Sequence, residues 1–219
     1  MSRLYDQNHR KLQDEFGTRA LADRAEKDIF KTELDEGAAA FIGQQDMFFL
    51  ATVSSDGQPS VSYKGGAPGF VKCIDPHTLV FPIYDGNGMF LSAGNLDKTS
   101  KVGLLFISFE RPMRFRVSGE ATIVRDHDVL ADYPEAVMLV RVDVTGVWFN
   151  CPRYIHRYER KETSRYVPEE GKQTPLAGWK RIEGMDEVLP PETRERIKEA
   201  GTIGKDEWFE HVRTGHPEA

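Results

Sequence analysis

The spacing of hydrophobic positions changes character along the chain. From residue 3 to 30, Leu4, Leu12, Phe16, Leu21, Ala25 and Ile29 recur near helical spacing between charged residues, which predicts helix. Gly17-Thr18 interrupts that stretch, so two helices are expected, with Thr18 as an N-cap. A short helix is predicted over 33–44, with Leu34, Ala38, Phe41 and Ile42 as its core-facing stripe. From 47 to 149 the pattern becomes that of strands. Residues 47–54 form a continuous apolar run, as a buried strand does. Ser55-Asp56-Gly57 is a hairpin turn, 58–64 alternates, and 70–74 follows a glycine-rich turn. Runs at 79–84, 102–109, 113–124 and 137–149 complete the strands. A helix is expected over 87–96, and a shorter one begins at Asp126-His127-Asp128.

Many strands joined by short turns point to a closed or nearly closed barrel. The segment from Glu159 onward is more polar, and Pro168, Pro175, Pro190 and Pro191 break it into loops. Helices are expected there over 191–200 and 205–212. It holds too few apolar residues for a core of its own. The expected organisation is therefore a helical extension over 1–45, a barrel over 46–158, and an extension over 159–219 that packs on the barrel or on a partner subunit.

Composition narrows the partners. The chain has 219 residues, enough for one sizeable core, and carries 39% hydrophobic and 29% charged residues, as a soluble globular protein does. A net charge of −6 argues against nucleic acid. No apolar run approaches the ~20 residues that span a bilayer, and the first residues lack a secretory h-region. Cys73 and Cys151 have no metal-type spacing, and the six histidines are scattered, so thiols in a cytoplasmic protein and no metal site are expected.

Candidate chemistry gathers in the middle. Tyr84-Asp85-Gly86-Asn87-Gly88-Met89 places small polar residues where a helix should begin, and a helix start offers free N–H groups and a positive dipole end to a phosphate. Lys64 and Lys72 lie on successive extended runs on either side of the glycine turn. The competing reading is two solvated lysines and a plain loop before a helix. The helix start and the lysines together suggest a phosphate-bearing cofactor on a β scaffold.

The order of these pieces resembles the pyridoxamine 5′-phosphate oxidase-like family, the FMN-binding split barrels. Phe49-Leu50-Ala51-Thr52-Val53 with Asp56-Gly57-Gln58-Pro59 looks like the family's opening hairpin. Phe70-Val71-Lys72, Leu79-Val80-Phe81-Pro82 and Val102-Gly103-Leu104-Leu105-Phe106 look like its central strands, and Arg114-Phe115-Arg116-Val117-Ser118-Gly119 like its return strand. The likeness covers roughly residues 45–150. Ser62 stands where the oxidases proper carry arginine, and Asn87-Gly88-Met89 where they carry Ser-Arg-Lys. The turn from Gly65 to Gly69 is an insertion, and their terminal Arg-x-His has no counterpart. The resemblance is thus to the wider family rather than to the true pyridoxamine phosphate oxidase. Pro68-Gly69-Phe70-Val71, Gly86-Asn87 and Asn150-Cys151-Pro152-Arg153-Tyr154-Ile155 are similar to a group with loosely defined oxidoreductase roles.

The resemblance implies a mainly β fold with flanking helices, a six-stranded split β-barrel of Greek-key type, and a homodimer with FMN at the interface. It implies phosphate contacts from Ser62, Lys64, Lys72, Asn87, Gly88 and Met89. Pro82, Ile83 and Tyr84 would lie along the ribityl chain or ring, and Arg114 near the ring's polar edge. Asn150 and Arg153 would contact cofactor or substrate, against the equal reading of a turn that locks the strand end with Cys151 buried. The function implied is an FMN-dependent oxidoreductase acting on a small molecule. A non-enzymatic flavin or haem binder and a deazaflavin-dependent reductase are the alternatives. No general acid or base is assigned.

Overall fold

Seven strands form one antiparallel sheet in the computed structural model, which describes residues 2–219. They are β1 (Met47–Val53), β2 (Pro59–Gly65), β3 (Lys72–Asp75), β4 (Thr78–Tyr84), β5 (Lys101–Ser108), β6 (Met113–Val124) and β7 (Ala136–Asn150). Their order is β2-β1-β5-β6-β7-β4-β3. β5, β6 and β7 follow one another as hairpins and β4 lies beside β7, which is the Greek-key arrangement.

The sheet is rolled. Four strand-to-strand steps separate β1 from β4, roughly 19 Å along a flat sheet. Yet the rings of Phe48 on β1 and Phe81 on β4 are only 5.0 Å apart, and Phe48 also lies 5.1 Å from Phe106. The even-numbered residues of β1 point inward, and Phe48, Leu50 and Thr52 are buried there. Leu79, Phe81, Leu104, Phe115, Val117, Val140 and Val142 complete the core. β2 and β3 are the two edges, so the barrel is split. The split-barrel class is as the sequence implies; the count is seven strands instead of six. β3, the shortest, is a four-residue edge strand that pairs only with β4.

Helices flank the sheet. α1 (Gln7–Glu15) and α2 (Arg19–Ile29) divide at Gly17-Thr18 as expected, although the Thr18 side chain makes no cap hydrogen bond. α3 (Glu36–Gly43) begins later than 33, because Asp35 caps it by accepting from the Ala38 N–H at 2.8 Å. Leu34, Ala38 and Ile42 enter the core, and Phe41 meets Phe115 edge-on. α4 (Leu91–Thr99) follows β4, and α5 (His127–Leu130) precedes β7.

The chain divides into two compact units after Arg160. The second, Lys161–Ala219, holds α6 (Pro191–Ala200) and α7 (Lys205–Thr214), close to the helices expected there. Pro190-Pro191 opens α6, where a missing N–H is harmless. Within this unit Ile197 and Ile203 are buried, and Arg181 donates to the carbonyls of Ala200 and Gly201, tying down the end of α6. No helix among the described residues is long and apolar enough to cross a membrane.

Candidate functional site

Three polar contacts fasten α4 across the inner face of β1 and β2. The Ser92 and Ser62 hydroxyl oxygens are 3.1 Å apart. Asn95 Nδ2 donates to Thr52 Oγ1 at 3.0 Å, and Thr99 Oγ1 donates to the Val53 carbonyl at 2.7 Å. Side chains alternate along a strand, and Ser62 and Lys64 pair across from the inward Leu50 and Phe48. Both therefore face the α4 side of β2.

α4 starts later than the sequence predicts. Gly88 at φ 75° and Phe90 at φ 46° both hold left-handed backbone, so a helix cannot run through them, and Leu91 is its first residue. Asn87 is not the cap. Its Oδ1 accepts from the Met89 N–H at 3.1 Å, closing a turn ahead of the helix. Phe90 occupies the N-cap position and offers no side-chain hydrogen bond, so α4 begins uncapped.

The uncapped end opens into a pocket of about 290 Å³ between β2, the end of β4 and the 86–91 loop. Of the expected residues, Ser62, Lys64, Ile83, Tyr84, Asn87, Gly88 and Met89 line it together. Ser60, Phe90, Leu91 and Ser92 line it as well. The contact of Ser92 with Ser62 joins positions thirty residues apart, which no local pattern encodes.

Lys64 is half-buried, and its ammonium has no ion pair or hydrogen bond among the described residues. Burial alone pushes its pKa below the ordinary 10.5 of a lysine. Burial pushes the Tyr84 phenol above its ordinary 10.0, so its hydroxyl stays a donor at neutral pH. One desolvated cation, serine hydroxyls and the first amides of a helix are groups that can hold an anion.

Five expected residues lie elsewhere. Lys72 stands on β3, at the opposite edge of the sheet order from β2; its Nζ is 3.7 Å from an Asp132 carboxylate and 4.3 Å from the centre of the Tyr133 ring. It does not line the pocket that Lys64 lines. Pro82 is buried in β4, paired with Leu139 of β7, and does not line the pocket. Arg114 and Asn150 are cross-strand partners on β6 and β7, on the outer face of the sheet, opposite to the face that Ser62 uses. Arg114 Nε is buried with no hydrogen-bond partner among the described residues. Arg153 is exposed in the turn after β7, and Cys151 is exposed there too instead of buried.

A family model described as pyridoxamine 5′-phosphate oxidase matches residues 34–151, more than half of the chain, and the chain belongs to that family. No curated protein matches it. Among solved structures, a candidate pyridoxamine 5′-phosphate oxidase from Lactobacillus delbrueckii is 25% identical, covering 54% of this chain and 95% of its own, with a TM-score of 0.45. HupZ of Group A Streptococcus is 16% identical over 57% of this chain and 99% of its own, at a TM-score of 0.44. An FMN-binding protein from Syntrophomonas wolfei is 11% identical over 64% of this chain and 97% of its own, at 0.40.

Proposed function

We propose that this chain binds flavin mononucleotide and acts as an FMN-dependent oxidoreductase on a small organic molecule, as a homodimer. Lys64 carries the reading. A half-buried ammonium without a counter-charge loses hydration on folding and regains a partner from a ligand anion. The Ser62 and Ser92 hydroxyls and the first amides of α4 supply donors around a phosphate. Membership of the family supports the flavin as the owner of that phosphate.

The pocket's size also bears on the assembly. About 290 Å³ sits at the low end of the roughly 300–1,000 Å³ of ligand sites. It suits a phosphate and the chain beside it, with a tricyclic ring outside, against the exposed side chains of Met89, Phe90 and Leu91. Arg114 and Asn150, on the other face of their own sheet, reach such a ring only from a second copy. In this proposal Lys64 and the serines anchor, Tyr84 and Ile83 wall the channel, and Arg114 stabilises negative charge at the ring edge. A bound flavin supplies the hydride chemistry, and the chain binds and orients it.

The test starts with the visible spectrum of the purified protein and the mass of any released chromophore. FMN should bind far more tightly than riboflavin, which lacks the phosphate. NADH or NADPH should bleach it. Equal affinity for FMN and riboflavin would overturn the phosphate site. A bound flavin that no donor reduces would overturn the enzyme, and turnover only with a deazaflavin would overturn FMN.

A further inference from the structure

We propose that the α1–α2 hairpin is a docking arm for a second copy of this chain, an inference that rests on the homodimer reading above. Neither helix contains a buried residue. Helices of nine and eleven residues fall short of the ~12–15 that persist alone in water, so they need an apolar surface to pack on. Each offers one. Leu12 and Phe16, at i,i+4, are 55% and 71% exposed, and Leu21, on α2, is 70% exposed.

The charges of the hairpin argue against a highly charged partner. Residues 2–30 carry six basic and six acidic side chains. Many are consumed inside the hairpin: Arg10 pairs with Asp23 at 2.6 Å, Arg19 with Asp14, and Arg24 with Asp28. A balanced, internally paired set has no excess charge to attract nucleic acid or an anionic membrane. What remains on offer is the apolar stripe.

The position of the hairpin supplies the occupant. Phe30, directly after α2, lies 5.8 Å from the Trp148 ring and lies so close over Gly146 that a Cβ there would meet it at 2.6 Å. Lys31 bridges to Val147. Trp148 ends a row across the outer face of the sheet, Tyr63–Phe49–Leu105–Arg116–Trp148, joined strand by strand in register. Tyr63 and Val61 stand exposed at its far side. The hairpin thus leaves the chain at the rim of an unpartnered outer face. Two copies joined through that face bring each hairpin over the other copy.

Sedimentation equilibrium on the full chain tests this, with circular dichroism to confirm folding. The wild type should dimerise, and Phe16→Asp with Leu21→Asp should raise the dimer dissociation constant at least tenfold. Amide exchange over 7–29 in the wild type should slow as concentration rises through that constant, a readout that needs no variant. An unchanged dissociation constant, with Tyr63→Asp still dissociating the dimer, would overturn the arm and leave the dimer standing. A wild-type chain that stays monomeric would overturn both. Protection of 7–29 that is already complete in the monomer would show that the hairpin is covered by its own chain, and would also overturn the arm.

Discussion

The Ser62 hydroxyl on β2 and the Ser92 hydroxyl on α4 meet at 3.1 Å, and that contact sets the entrance of α4 against the edge of the sheet. Ser92 is only 8% exposed and Ser62 is partly buried, so neither is well hydrated. Ser92→Ala leaves the Ser62 hydroxyl short of a partner and should destabilise the chain by about 0.5–1.5 kcal/mol. Chemical denaturation reads this directly. The same variant should bind FMN more weakly than the wild type by titration, and unchanged affinity would remove Ser92 from the anion cradle.

Lys64→Ala separates binding from stability. It should weaken FMN binding by about 1.5–3 kcal/mol, the range for a hydrogen bond to a charged group. The apo chain should be no less stable, since the substitution removes a desolvated charge with no partner. Lys72→Ala should leave FMN affinity unchanged, because that ammonium lies over Tyr133 and beside Asp132. Calorimetric titration of both variants checks the pair, and a loss of affinity in the Lys72 variant alone would reverse the assignment.

In the proposed complex, the depressed pKa of Lys64 makes FMN affinity depend on pH. Burial disfavours the ammonium, so the unliganded chain releases this proton below the ordinary 10.5. In that chain the desolvation penalty is fully present below the folded pKa. It fades as pH rises from there toward the unfolded value, so this group alone makes the unliganded fold more stable across that window. A phosphate needs the ammonium, so FMN affinity should fall over the same window. Affinity that declines equally in Lys64→Ala would locate the titration elsewhere.

Phe48 is fully buried and its ring meets those of Phe70, Phe81 and Phe106. Phe48→Ala should cost about 3–5 kcal/mol in unfolding free energy. It removes the side chain on which β1 and β4 converge. A loss below about 1 kcal/mol would show that the rolled sheet does not depend on this cluster.

The two thiols should react unequally. Burial pushes Cys73 up to about 11, whereas Cys151 is exposed. Only thiolate attacks alkylating reagents, so at pH 8 iodoacetamide should label Cys151 well before Cys73. Peptide mapping of the labelled chain decides it, and Cys73 labelled first would contradict the partial burial of that side chain.

Much of this chain is local and therefore readable from its residues. The apolar run of β1, the Gly57 turn, the Asp126 start of α5 and the Pro191 start of α6 each depend on neighbours a few positions away. Seven apolar runs were visible in the sequence, as was a cradle of small polar residues after β4. The point at which α4 begins was not, because the left-handed Phe90 is a backbone choice that its side chain does not announce. Strand order was decided only by the fold. Lys64 and Lys72 are eight positions apart in sequence and stand on the two edges of the sheet, while Ser62 and Ser92 lie far apart in sequence and touch. Register and rolling come from burying one face of every strand at once, a condition on the whole sheet that no single segment contains.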